Sequence, residues 1–134
     1  MRSFSLAVPV VTALFLHVAA YSQPVLITAA KTVGPTDTTI TPTAGGAAVP
    51  LATAQITVQG SAVLTMNGRH SIESLSLEGT SALMHDANFS HDYSGSGTDI
   101  VFGLDLTVAG NMTVLASARV DVNGRGYPIA QGPG

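Results

Sequence analysis

The sequence contains no cysteine and no tryptophan, and charged residues make up only 10% of its 134 positions. Without cysteine, disulfides cannot stabilise the fold, although small exported domains often depend on them. Five Lys and Arg residues stand against eight Asp and Glu residues. No basic patch is therefore available to follow a phosphate backbone or to hold the chain on anionic lipid. We expect no nucleic-acid partner.

The first 22 residues are typical of a secretory signal peptide. Met1-Arg2 is basic, SFSLAVPVVTALFLHVAA is apolar, and small residues follow around Ala20. A transmembrane anchor is the alternative, but the apolar run is short, Pro9 interrupts it and no basic stop-transfer segment follows. We expect a secreted or cell-surface protein with no membrane span after signal cleavage.

Composition divides the rest of the chain into three parts. Residues 23–49 are rich in Thr, Pro and Gly, and we expect a leader or cap with a short strand at Val25-Leu26-Ile27. Residues 50–126 carry the regular pattern and form the predicted β-solenoid. Residues 127–134 are a Gly- and Pro-rich tail, and we expect the chain to be a fragment or a truncated product.

The longest regular stretch runs from Leu104 to Val122, where every even-numbered position is apolar or Gly. A period of two predicts extended chain with one buried face, and the length requires bends at Gly110 and near Ala116–Ser117. A similar run at residues 56–66 ends in an Asn67-Gly68 turn. The apolar phase slips between Ile72 and Leu75, which predicts a bulge or corner there.

Two repeats link these runs. Thr57-Val58-Gln59-Gly60 is similar to Thr107-Val108-Ala109-Gly110, and Leu64–Arg69 is similar to Val120–Arg125. Gly60 and Gly79 are 19 residues apart, and Gly79 and Gly110 are 31 apart, which equals one turn plus an inserted loop at Asp86–Asp99. Such spacing predicts an all-β, short parallel β-helix, and an antiparallel β-sandwich is the alternative.

The segments PLATAQITVQGSAVLTMNGRHSIESLSLEGTSALMH, GLDLTVAGNMTVLASARVDVNGRGYP and QGPG resemble large glycine-rich, secreted bacterial surface proteins of the adhesin or autotransporter type. The resemblance covers roughly residues 50–134. It implies a right-handed parallel β-helix and a structural role at the cell surface, with no catalytic residues to carry over. Members of that family continue for hundreds of residues, and this chain does not.

Few residues suggest chemistry. His85, Asp86, His91 and Asp92 are weak candidates for a metal site, because His nitrogens and carboxylates ligate divalent cations but the spacing is loose. The carboxylates are scattered rather than grouped as a polysaccharide lyase or hydrolase needs, and no G-x-S-x-G elbow is present. We expect no catalytic residue and no cofactor.

These observations predict a non-catalytic, exported β-solenoid segment of a structural or adhesive surface protein. Its expected partners are the downstream solenoid of the same protein or other cell-surface components, with polysaccharide as a further candidate. The alternative is a carbohydrate-active β-helix or a carbohydrate-binding module. A uniformly Thr/Ser/Gln outer face would favour the structural role, whereas clustered carboxylates with a basic residue would favour the enzyme.

Overall fold

A computed structural model describes residues 21–86 and 103–123 of the chain. These residues form short β-strands and one turn of 3-10 helix at Leu51–Thr53, which confirms the predicted all-β class. The strands are β1 (Gln23–Ile27), β2 (Lys31–Val33), β3 (Thr39–Ile40), β4 (Val49–Pro50), β5 (Ala54–Val58), β6 (Val63–Met66), β7 (Gly68–Ile72), β8 (Ser74–Leu77), β9 (Ala82–Met84), β10 (Leu104–Val108), β11 (Met112–Val114) and β12 (Arg119–Val120).

The strands are distributed over three parallel sheets and one small hairpin. The first sheet has the order β1-β5-β8-β11, the second has the order β2-β6-β9-β12, and the third contains β7 and β10. From β5 onward the chain visits the first, second and third sheets in turn and then returns to the first. We call one such passage through the three sheets a course.

Among the residues that the structure describes, every strand pair in the three sheets is parallel, and only the β3–β4 hairpin is antiparallel. The antiparallel β-sandwich is therefore the wrong alternative. Alternation of apolar and polar residues could not separate the two, because both architectures bury one face of each strand. Leu64, Leu75 and Leu77 illustrate the inward positions, since each is at most 1% exposed.

The register of the sheets confirms the predicted spacing of 19 residues between two courses. Gln59 hydrogen bonds to Glu78 across an interval of 19 residues, and Gly60 lies directly against Gly79. A Cβ on Gly79 would be 2.7 Å from the carbonyl oxygen of Gly60, and both glycines have φ near +67°. Glycine is required at this corner by conformation and, at Gly79, also by space.

The predicted equivalence of Gly110 with Gly60 and Gly79 is wrong. Gly110 donates its N–H to the carbonyl oxygen of Glu73 at 2.7 Å and so lies beside that residue. Correspondingly, Thr107 pairs with Ser71 in the third sheet, so the likeness of residues 57–60 to residues 107–110 does not reflect stacking. The interval between the two glycines is not one turn plus the predicted loop.

The second predicted repeat does agree with the register. Leu64 pairs with Leu83, and Leu83 pairs with Val120, so these apolar residues form one inward column through three courses. The predicted strand at Val25-Leu26-Ile27 is also present, as β1 paired with β5. Part of the Thr/Pro/Gly-rich segment therefore belongs to the first sheet.

The bends also fall where they were predicted. The chain turns between β10 and β11 around Gly110, between β11 and β12 at residues 116–117, and at Glu73 between β7 and β8. Gly68 has a φ of +84° after Asn67, in agreement with the predicted turn. These corners separate strands that belong to different sheets.

The predicted burial of the run from Leu104 to Val122 is wrong for its second half. Met112, Val114, Val120 and Val122 are between 43% and 50% exposed, whereas Leu75, the register partner of Met112, is only 1% exposed. The reason is position: β11 and β12 are the last strands of their sheets, so no further described strand covers them.

The opposite end of the first sheet is covered. The carbonyl oxygen of Ile27 accepts from the N–H of Gln59, which directly follows β5, so the carbonyl of Leu26 points away from β5. There it accepts the N–H of Thr43 at 3.1 Å. Ile40 and Val49, in the β3–β4 hairpin, are buried in the same apolar core as the sheets. The segment between β2 and β5 thus closes this end.

Candidate binding groove

A polar groove lies on the outer surface of the first sheet. It has a volume of about 240 Å³ and crosses β5, β8 and the start of β11. The side chains that matter below are Gln55, Ser74, Asn111, Thr57, Thr113 and Glu73. No individual residue of this groove had been predicted as a site.

The groove is built by the alternation of the strands. Inward positions of β5 and β8 are apolar and buried, so the intervening positions must face outward. Gln55 pairs with Ser74, and Thr57 pairs with Ser76, which in turn pairs with Thr113. Neighbouring strands lie about 4.8 Å apart, so each column presents hydroxyl or amide groups at that repeat.

Most of these outward side chains make no hydrogen bond to the protein. Within the described residues, no such bond is found for the side chains of Gln55, Ser74, Asn111 or Glu73. They are half-buried or exposed, so water satisfies them without the cost of a buried orphan. Their donors and acceptors are consequently free to exchange water for the hydroxyl groups of a ligand.

Glu73 supplies the carboxylate of the groove, at the corner where Gly110 lies next to it. A Cβ on Gly110 would be 3.0 Å from the Glu73 carbonyl oxygen and 3.5 Å from its Oε1, so the glycine leaves this side of the carboxylate open. Glu78, by contrast, accepts hydrogen bonds from Gln59 at 3.0 Å and from Ser76 at 3.2 Å. Glu78 is thus held by neighbouring side chains, and of the two glutamates only Glu73 lines the groove.

The two arginines of the described residues lie on other sheets, and each has an acidic partner. Arg69 on β7 contacts Asp105 on β10 at 2.7 Å, and Arg119 contacts Asp121 at 3.2 Å. Both pairs are largely solvent-exposed and decorate the second and third sheets. Neither arginine lines the groove.

Of the four metal candidates, only His85 and Asp86 lie in the described residues, and His91 and Asp92 lie outside them. His85 is 9% exposed, and its Nδ1 is 2.7 Å from the carbonyl oxygen of Asp86. The Asp86 carboxylate accepts from Asn67 Nδ2 at 2.7 Å, and Asn67 Oδ1 accepts from the Asp86 N–H at 2.8 Å. Residues 21–86 and 103–123 contain no group of three metal-ligating side chains.

The Asn67–Asp86 contact instead joins two courses at one corner. The two residues are 19 apart, the interval that also relates Gln59 to Glu78. His70 is 5% exposed, and its Nε2 is 2.8 Å from the Asn67 carbonyl oxygen. The polar residues at this corner are therefore engaged in holding the turns.

The described residues thus define an all-β protein with open, parallel sheets and a shallow polar groove. Neither the protein-family models, nor the curated proteins, nor the solved structures include a match to this chain.

Proposed function

We propose that the chain is a non-catalytic, exported segment of a structural or adhesive surface protein, built as a right-handed parallel β-solenoid. The observation that carries this proposal is the outer face of the first sheet, where Gln55, Thr57, Ser74, Ser76 and Thr113 present amides and hydroxyls and no grouped carboxylates. An acid–base mechanism needs at least two such groups at a defined separation.

The order of the strands supports the solenoid. Each complete course contributes one strand to each sheet, and successive courses pair in parallel with apolar residues stacked on apolar residues. Courses of this kind bury their apolar side only against their neighbours. Parallel crossover connections are overwhelmingly right-handed, which supports that hand here.

Export is supported by the sequence of the first 22 residues, with their basic start, apolar centre and small residues near Ala20. A chain without cysteine gains nothing from an oxidising compartment, so its stability there rests on stacking. Fractionation of bacterial cells that express the full chain tests whether the protein is exported. We expect a processed product outside the cytoplasm, and an unprocessed cytoplasmic product would contradict export.

Disulfide trapping tests the solenoid register, and the absence of native cysteine makes the result unambiguous. Gln55→Cys with Ser74→Cys places two outward thiols on register partners, within the Cα distance that a disulfide spans. The matched control combines Gln55→Cys with Ser76→Cys, which lies two residues out of register. We expect oxidation to link the first pair and not the second, and the reverse result would refute the stacking.

The groove itself favours a second candidate, a carbohydrate-binding module. Hydroxyl and amide groups at a regular repeat, with the free Glu73 carboxylate beside them, match the donors and acceptors of a sugar chain. Titration with bacterial polysaccharides tests this function. Asn111→Ala and Ser74→Ala should weaken polysaccharide binding, whereas Ser71→Ala on the third sheet should not. Equal effects of all three substitutions would exclude the groove as the binding site.

A further inference from the structure

The two ends of the first sheet are built differently. At the β1 end, the backbone nitrogen of Pro24 lies at the sheet edge that faces away from β5, and proline has no N–H to expose there. The carbonyl of Leu26, which faces the same edge, accepts the N–H of Thr43. Proline and a covering segment are two devices by which proteins prevent further strand pairing. This end is therefore closed to addition.

The β11 end carries neither device. Asn111 and Leu115 make the backbone hydrogen bonds to β8, at 3.0 Å each, so the N–H and C=O groups of Met112 and Val114 point to the free edge. Within residues 21–86 and 103–123, no backbone hydrogen bond reaches these outward groups. The edge strand contains no proline and no charge.

The side chains at this end are exposed apolar groups that belong to inward columns. Val114 is 44% exposed, whereas Leu77 and Val58 in the same column are fully buried. Val120 is 43% exposed, whereas Leu83 and Leu64 below it are at most 1% exposed. The end therefore presents the same surface that each earlier course presents to the next one.

We infer that the β11–β12 edge is a docking site for a further course of the same repeat, contributed by the same exported protein. This inference rests on the proposed solenoid. The occupant is defined by its chemistry: a strand parallel to β11, with apolar residues at the two positions above Met112 and Val114. The three strand pairs of the first sheet are all parallel and in continuous register. A strand added to β11 would therefore continue the same direction and register.

A peptide that corresponds to residues 54–72, which form one complete course, is the probe for this site. It carries cysteine in place of Gln55, and the full chain carries Asn111→Cys, because Gln55, Ser74 and Asn111 occupy one outward column. We expect a disulfide to form between the two. The matched control is a full chain with Thr107→Cys on the third sheet, which should form the disulfide about ten-fold more slowly or not at all.

The Val114→Pro variant is designed to block strand addition at the β11 edge specifically. It removes an N–H that points to the free edge and leaves the bonds of Asn111 and Leu115 to β8 intact, as Pro24 does in β1. We expect trapping to fall by about ten-fold or more, without loss of the Gln55→Cys/Ser74→Cys disulfide.

The outcomes separate this inference from the proposed function. If the internal 55–74 disulfide forms but the peptide is not trapped, the solenoid stands and the docking site is refuted. If the Asn111→Cys chain links mainly to its own copies, the occupant is a second copy of the chain, and the inferred further course is refuted. If the internal disulfide also fails to form, the proposed solenoid itself fails.

Discussion

The side chain of Ser81 gives the sharpest test of the packing. Ser81 is completely buried, and its Oγ has no hydrogen-bond partner among the described residues. Ala82 pairs with Val63 below and with Arg119 above, so Ser81 lies in one column between Ala62 and Ala118. An alanine-sized side chain therefore already fits the two neighbouring levels of this column.

Replacement of Ser81 by alanine should stabilise the protein. An unpaired buried hydroxyl costs about 1–3 kcal/mol, and the methyl group of alanine leaves almost the same packing. We expect the free energy of unfolding to rise by about 1 kcal/mol, which in a chain of this size raises Tm by about 4 °C. Urea unfolding followed by circular dichroism measures the change at the transition midpoint.

Two control variants make the result specific. Ser76→Ala removes a hydroxyl that donates to Glu78 at 3.2 Å, so it should be neutral or slightly destabilising. Ser81→Val adds volume to a column of alanines and should destabilise by about 1–3 kcal/mol. If Ser81→Ala instead destabilised the protein by 1 kcal/mol or more, the hydroxyl would have a partner and the column would be incorrectly assigned.

Three further substitutions test the stacking by measurement of unfolding free energies. Gly79→Ala should lower the free energy of unfolding by about 2 kcal/mol or more, and clearly more than Gly60→Ala does. Both glycines have positive φ, but only at Gly79 would an added Cβ meet backbone atoms. Equal losses for the two variants would contradict this contact. Leu77→Ala should cost about 2–5 kcal/mol, and a loss below 1 would mean that its site is not core. Arg69→Ala should change stability by less than about 1 kcal/mol, because the exposed pair with Asp105 is screened, and a larger loss would show a buried role.

The local features of this chain were predictable because they depend on neighbouring residues. Asn67-Gly68 has the turn chemistry that positive φ requires, and Gly68 adopts it. The slip in apolar phase between Ile72 and Leu75 required a corner, and the chain bends at Glu73. The 19-residue interval from Gly60 to Gly79 was predictable because no insertion lies between them.

The registers across longer intervals were not predictable in the same way. Gly110 matches Gly60 in its local sequence, but its place in the register depends on the length of the connection between β9 and β10. Composition does not show where that connection ends and β10 begins. The groove was missed for a related reason. Gln55, Ser74 and Asn111 are separate polar residues in the sequence, and they share one surface only because the register stacks them.

The burial of the last course illustrates what alternation can and cannot determine. A period of two shows which side chains face inward, and Val114 does share its column with Val58 and Leu77. Whether an inward side chain is buried depends in addition on a neighbour at the next level, which no pattern within the strand encodes. When parallel strands stack, each level completes the burial of the one before it, so the last level keeps its inward side chains exposed. The missing neighbour that leaves these apolar side chains exposed also makes the β11 edge the place where a further strand would gain the most free energy. Such a strand would cover Met112 and Val114 and would supply hydrogen-bond partners for their outward backbone groups.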